Sequence, residues 1–124
     1  MIEEDPAYTA EVTLPELIEA AVRAGDYEAA ATACKTLSER ALAASTPWAL
    51  GLRARCEALL AEGPDAGGCY LESISQLKRS RMAVDLARTR LLYGQWLRRA
   101  KRRRDARHEL RTAHDMFTAM GADR

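Results

Sequence analysis

The chain has 124 residues and a formal net charge of +1, with 24 alanines and only 6% aromatic residues. This length corresponds to about one domain, and many alanines with little Val, Ile or Phe favour closely packed helices over a β-sheet. No run approaches the roughly 18 apolar residues of a membrane span, and the acidic start lacks the basic and apolar regions of a signal peptide. We therefore expect a cytoplasmic protein that does not contact membranes.

The first two predicted helices follow a short arm. Residues 1–12 show no helical stripe and predict a flexible N-terminal arm. Thr13 and Glu16 have the spacing of a capping box at a helix start, Gly25 suits a left-handed helix end, and Asp26 can cap a second helix. The positions expected to face inward are Leu14, Leu17, Ile18, Ala21 and Val22, then Tyr27, Ala30, Ala31, Cys34, Leu37, Ala41 and Ala44.

A second pair of helices is predicted next. Thr46 and Pro47 have the residue types of a cap and a first helical residue, so the third helix is expected to begin there. Gly63-Pro64 breaks that helix after about Glu62, and Asp65 is expected to open the fourth. The inward positions are Trp48, Leu52, Cys56, Leu59 and Leu60, then Ala66, Tyr70, Ile74 and Leu77.

The last two predicted helices are joined by a basic turn with the sequence KRRR at 101–104. On the final helix the apolar residues recur at i, i+4, i+7, i+11 and i+14, which is one face of an α-helix. Tyr93 and Gly94 are predicted where the two helices meet, with Ala106 at the close contact on the return helix. The apolar residues of the final face are Ala106, Leu110, Ala113, Phe117 and Met120.

These patterns together predict an all-α, tetratricopeptide-like helical solenoid. Ala30, Ala66 and Ala106 lie 36 and 40 residues apart, close to the 34 residues of a tetratricopeptide repeat. An ordinary antiparallel bundle is the alternative architecture. We expect one domain over residues 13–124, with about six helices in three antiparallel hairpins over residues 13–44, 46–79 and 82–121.

Three segments resemble the helical-repeat region of large actinobacterial LuxR-type transcription regulators of the maltose-regulator kind. The segments are PELIEAAVRAGD (15–26), TPWALGLRARCEALLAEG (46–63) and LARTRLLYGQWLRRAKRRRDARHELRTAHDMFTAMGA (86–122). Members of that family join an ATP-binding module, a long helical-repeat region and a C-terminal helix-turn-helix. The resemblance implies a fragment that acts as a non-catalytic interaction or signal-relay module. Neither a GxxxxGK[ST] motif nor a helix-turn-helix is present, so neither ATPase chemistry nor specific DNA binding is expected of these residues.

The basic run and its neighbour Trp96 are the candidate partner contacts. Six cations in seven residues can attract phosphate or an acidic protein, but they also suit a solvated helix C-terminus. Trp96 is expected either to pack on a neighbouring repeat or to line a groove for a partner helix or effector. The alternative function is a free-standing adapter whose basic turn contacts nucleic acid or an acidic protein. The cations are Arg98, Arg99, Lys101, Arg102, Arg103 and Arg104.

The final helix also predicts self-association. Its apolar residues span more of the helix than one neighbouring helix would cover, so part of this surface should be exposed. Residues 1–62 carry a balance of −6 and residues 63–124 a balance of +7, which would favour contact between molecules. We expect a two-fold homodimer through the last hairpin. The residues concerned are Leu110, Met116, Phe117 and Met120.

No set of catalytic or metal-ligating residues converges in the sequence. His108 and His114 are six residues apart, a spacing that does not place them on one helical face. Three cysteines, Cys34, Cys56 and Cys69, lack a CxxC or zinc spacing and are expected to be reduced core residues. We therefore predict no enzyme activity, no cofactor and no metal site.

Overall fold

The structure, a computed structural model, describes residues 13–61 and 63–122. Within this part of the chain the regular secondary structure is entirely α-helical, as the composition predicted. The predicted arm at residues 1–12 lies outside the described residues. None of the helices described is long and apolar enough to cross a lipid bilayer. The helices are α1 (Leu14–Ala24), α2 (Tyr27–Ala44), α3 (Pro47–Leu60), α4 (Asp65–Arg79), α5 (Ala83–Arg99) and α6 (Arg103–Ala122).

The first three helices begin at the caps that the sequence predicted. The Thr13 hydroxyl accepts a hydrogen bond from the Glu16 amide at 3.4 Å, and the Glu16 carboxylate accepts one from the Thr13 amide at 3.3 Å, which completes the capping box. The side chains of Asp26 and Thr46 each accept from the amide three residues later, at 3.2 and 3.1 Å. Gly25 ends α1 in the left-handed region, with φ of 81°. Local chemistry thus determines these boundaries.

The basic turn is shorter than predicted. Arg103 and Arg104 belong to α6, and the connection consists of residues 100–102 only. Lys101 occupies the left-handed region with φ of 66°, where glycine is usual. Its amide donates to the Arg98 carbonyl at 3.0 Å, and the next amide donates to the Leu97 carbonyl at 2.9 Å. These two hydrogen bonds form a Schellman motif, which ends α5 and lets α6 begin at once.

One other helix end differs from expectation. Helix α3 ends at Leu60 instead of about Glu62, and Glu62 itself lies outside the described residues. Asp65 opens α4 as predicted, and the cap position before it is held by Pro64 without a side-chain hydrogen bond. Because proline has no amide and no polar side chain, this helix start relies on packing and not on a cap.

The helices pack in sequential pairs, α1 with α2, α3 with α4 and α5 with α6. Neighbouring pairs meet through α2 and α3, through α4 and α5, and through α1 and α3. The three alanines predicted at close contacts, Ala30, Ala66 and Ala106, are all buried. Gly94 brings α5 against α6, since a Cβ at this position would lie 2.7 Å from Cγ of Leu110. Small residues therefore sit where the helices approach most closely.

The core consists of two apolar clusters. One joins the first pair of helices to α3, and the other joins α3 and α4 to α5 and α6. The first contains Ile18, Ala30, Cys34, Leu37, Ala41, Leu52 and Cys56, and the second contains Ala58, Ala66, Tyr70, Ile74, Leu92, Tyr93, Leu97 and Ala106.

Four large side chains predicted to face inward are instead exposed: Leu17, Tyr27, Trp48 and Phe117. Their predicted stripes were wider than the neighbouring helices can cover. Leu17 and Phe117 lie on the first and last helices of the described residues, where fewer neighbouring helices cover the stripe.

Candidate binding groove

A groove of about 800 Å³ opens between the three helix pairs. Helices α1, α2 and α3 form one side, and α4 and α5 form the other. Its volume lies within the roughly 300–1,000 Å³ of small-molecule sites, and its walls are mainly apolar with charged groups at the rim. The lining residues are Glu19, Val22, Arg23, Tyr27, Ala31, Leu59, Leu60, Ala61, Gly63, Tyr70, Leu92, Gln95, Trp96 and Arg99.

Aromatic side chains form one wall of this groove. The ring of Trp96 lies 6.2 Å from that of Tyr70 and 6.2 Å from that of Tyr93, measured between centroids. Trp96 also packs on α4, where a Cβ added to Gly67 would lie 3.0 Å from Cη2 of the indole. Trp96 therefore packs on the preceding helix pair and also lines the groove, while the docking of a partner helix or effector there stays a prediction.

The hydroxyl of Tyr70 remains protonated at neutral pH. Burial raises the pKa of Tyr70 to about 12, and the nearby Arg99 opposes this only in part. The phenol is thus a neutral group on the groove wall, able both to donate and to accept a hydrogen bond.

An ion pair crosses the molecule beside the groove. Glu19 of α1 is only 8% exposed, and its carboxylate accepts hydrogen bonds from Nε of Arg88, at 3.1 Å to Oε1 and 3.3 Å to Oε2. A terminal nitrogen of the same guanidinium donates to Oε1 as well. This hydrogen bonding raises the pKa of Arg88 above its ordinary value. The bidentate contact links the first helix pair to the third.

Arg55 of α3 extends this contact into a network. Its side chain is 2% exposed and lies 3.8 Å from Glu19 and 3.8 Å from Asp85. The guanidinium donates to the hydroxyl of Thr89 and to the backbone carbonyl of Asp85, each at 3.3 Å. The indole of Trp48 donates to the Asp85 carboxylate at 2.8 Å, which explains why this tryptophan lies at the surface. Charged groups of α1, α3 and α5 therefore meet at one place.

A second cavity borders the same network. It has a volume of about 480 Å³ and shares Glu19 with the groove, and Glu16, Trp48 and Arg88 also line it. Glu19 therefore contributes to both cavities.

No pattern in the sequence predicted this network. Glu19 and Arg88 are 69 residues apart, and no local pattern connects them. The available signal was the position of Arg55 and Thr89 within otherwise apolar helical stripes, since charged and polar residues there need buried partners.

The six predicted cations are distributed around the end of α5. All are exposed, but only Arg99 borders the groove together with Trp96. Arg102 pairs with Asp105 at 2.7 Å. Arg98 lies in the last turn of α5 and Lys101 in the connection. Arg103 and Arg104 are the first two residues of α6. Of the six, Arg99 alone lines the groove, and Arg99 and Arg102 line a second cavity of about 630 Å³ that also borders Trp96.

The predicted self-association residues lie on the outer part of α6. Leu110 is half-buried against Gly94, and Met116 and Met120 are also half-buried. Phe117 is 38% exposed. The two histidines of α6, His108 and His114, are exposed.

The cysteines take the predicted positions in part. Cys34 and Cys56 are buried, Cys69 is half-buried, and all three are free thiols. Burial raises the pKa of Cys56 to about 12, the opposite of what activates a nucleophilic cysteine.

The arrangement is suited to binding. An aromatic and aliphatic wall can cover an apolar ligand or side chain, while the exposed cations of Arg23 and Arg99 also line the groove. Such a combination fits an amphipathic occupant better than a purely charged one. In comparisons of this chain with family models, curated proteins and solved structures, none was found to match.

Proposed function

We propose that this chain is a tetratricopeptide-like helical-repeat module that binds a partner or effector in its groove. We propose further that it relays this signal within a cytoplasmic LuxR-type transcription regulator of the maltose-regulator kind, without catalysing a reaction. The order of helix contacts supports the repeat architecture, because each pair packs on the next and side chains of α1 and α5 both approach Arg55 of α3. The family assignment rests on the sequence resemblance.

The groove is the observation that carries the binding function. Its walls come from all three helix pairs, so an occupant would contact each pair at once. A ligand that fits one arrangement of the pairs better than another shifts the equilibrium between them. Glu19 lines the groove, and its contact with Arg88 joins the first pair to the third. A shift between these two pairs therefore changes the distance between Glu19 and Arg88.

A blocking substitution tests the groove. Ala31 is an exposed residue of α2 that lines the groove, so Ala31→Trp would fill part of it without entering the core. Ala29, also exposed on α2 but not part of the groove lining, provides the matched control Ala29→Trp. Each substitution is introduced into the chromosomal gene, and transcripts are measured by RNA sequencing.

We expect Ala31→Trp to alter a defined set of transcripts and Ala29→Trp to leave it unchanged, with both proteins equally abundant and equally helical. Identical transcripts for the two variants would contradict the proposed groove function. The family assignment has its own test, since the genomic reading frame should also encode an ATP-binding module and a helix-turn-helix. A reading frame with neither would refute that assignment.

A further inference from the structure

The first half of α6 carries a second charged surface, separate from the groove. Arg104, Arg107 and Arg111 follow one another at i, i+3 and i+7, and Arg103 lies one turn before Arg107. These spacings place all four on one flank of the helix. All four side chains are exposed. We call these four residues the arginine face.

The acidic residues of α6 form no ion pair with the arginine face. Asp105 pairs with Arg102 at 2.7 Å, and Glu109 pairs with Arg90 of α5 at 2.9 Å. Asp115 follows Arg111 at i+4 and borders the same surface recess as Arg107 and Arg111, so it offsets part of their charge without pairing with either. Within residues 13–61 and 63–122, no carboxylate lies within 4.0 Å of a nitrogen of the arginine face.

The guanidinium groups of the arginine face repel one another in the isolated chain. Arg103, Arg107 and Arg111 are like charges at successive i, i+4 positions, an arrangement that destabilises a helix. An anion held along the face would relieve this repulsion. The anion must be extended, because about 12 Å of helix separates Arg103 from Arg111 at 1.5 Å per residue.

We propose that the arginine face binds the phosphate backbone of double-stranded DNA without reading its sequence. Along about 12 Å of a duplex, one strand places three to four phosphates, which matches the number of arginines. The guanidinium group suits phosphate because it can donate two parallel hydrogen bonds. The residues of the arginine face do not line the groove, so this binding does not depend on the function proposed for the groove.

The chemistry of the face favours a duplex over other polyanions. Between Arg103 and Asp115 the helix has no Phe, Tyr or Trp on which the bases of a single strand could stack. It also has no Asn or Gln, the side chains that read adenine in the major groove. An acidic protein partner would normally add apolar contacts at the centre of the interface, but Leu110 is packed against Gly94.

The test is a salt titration of DNA binding by the whole chain. Fluorescence anisotropy of a labelled 24-base-pair duplex of arbitrary sequence is measured from low to physiological salt. We expect a dissociation constant on the order of 10⁻⁴–10⁻⁶ M near physiological salt, and a slope of log K against log salt of about −3 to −4 for four phosphate contacts. Arg107→Gln/Arg111→Gln should reduce the magnitude of the slope by about 2 and weaken binding at least about fivefold.

The control removes two arginines elsewhere. Arg40 and Arg81 are exposed and lie outside α6, so Arg40→Gln/Arg81→Gln changes the net charge equally. Binding that is undetectable at low salt, or that falls equally in both variants, would overturn the proposal. Polyglutamate is titrated against the same proteins. If it binds as tightly as the duplex and loses affinity with Arg107→Gln/Arg111→Gln, the face binds an acidic polypeptide and the proposal is wrong.

Discussion

Replacing Gly94 by alanine should reveal how closely α5 and α6 pack. In an open helix this replacement is stabilising, by about 0.8–1.0 kcal/mol, because glycine loses more backbone freedom on folding. At Gly94, however, the new Cβ would lie 2.7 Å from both Cγ and Cδ2 of Leu110 and 3.3 Å from the Leu110 amide nitrogen. The side chain could rotate away, but the backbone of α6 limits any relaxation.

The expected magnitude is the difference between two terms. Overpacking a close contact costs about 1–3 kcal/mol, and the gain in helix propensity offsets about 1 kcal/mol of this. We therefore expect Gly94→Ala to destabilise the protein by roughly 1 kcal/mol. Leu110→Ala alone should cost about 2 kcal/mol, the lower end of the range for core leucines, because Leu110 is half-buried.

The double variant Gly94→Ala/Leu110→Ala tests whether the Leu110 side chain causes the expected destabilisation. Once Leu110→Ala has removed the opposing side chain, Gly94→Ala should become stabilising by up to about 1 kcal/mol. Gly68 serves as control, because it lies in α4 with nothing within 4 Å of an added Cβ, and Gly68→Ala should stabilise by about 1 kcal/mol. Urea unfolding followed by circular dichroism measures all four variants. If Gly94→Ala stabilises the parent chain as much as Gly68→Ala does, α5 and α6 do not approach as closely at Gly94 as described.

Three further expectations concern charge, pH and association. Glu19→Gln should lower the free energy of unfolding in urea by roughly 3 kcal/mol, because it leaves Arg55 buried with less counter-charge. Glu39→Gln, at an exposed site, should lower it by almost nothing, and equal losses in the two variants would contradict the network. Burial raises the pKa of Cys56 from 9.0 to about 12, so the unfolded chain loses this proton first and the free energy of unfolding should fall from about pH 9 to pH 12. Cys56→Ala should flatten that decline, and an unchanged pH profile would refute this cause. Light scattering over a concentration series should show a dimer that Phe117→Glu dissociates, and a strict monomer at high micromolar concentration would exclude self-association through α6.

The helix starts were predictable because their causes are local. Thr13, Asp26 and Thr46 each act on an amide three residues later, so the residue type and its neighbours contain the whole signal. The close-contact alanines were predictable for a related reason, since their spacing repeats along the chain. The left-handed Lys101 was not predictable, because nothing in its side chain favours that conformation over a longer turn.

The groove was only partly predictable. Trp96 was identified because an aromatic residue beside a basic run is conspicuous in the sequence. Its partners Tyr70 and Gly67 are on a different helix pair, and their distance from Trp96 depends on how the pairs pack. The exposure of Trp48 depends likewise on a hydrogen bond to Asp85, 37 residues away. Contacts of this kind follow from tertiary packing and not from local propensity.

The contact between Glu19 and Arg88 has a consequence for how the protein unfolds. In a linear array of repeats each unit touches only its neighbours, so terminal units can unfold while the others remain folded. Here the first helix pair is bonded directly to the third, and Arg55 connects both to the second. Unfolding of the first helix pair therefore breaks contacts with both of the others. The protein should unfold in one cooperative transition, with amides of α1 and α5 protected from hydrogen exchange to a similar degree.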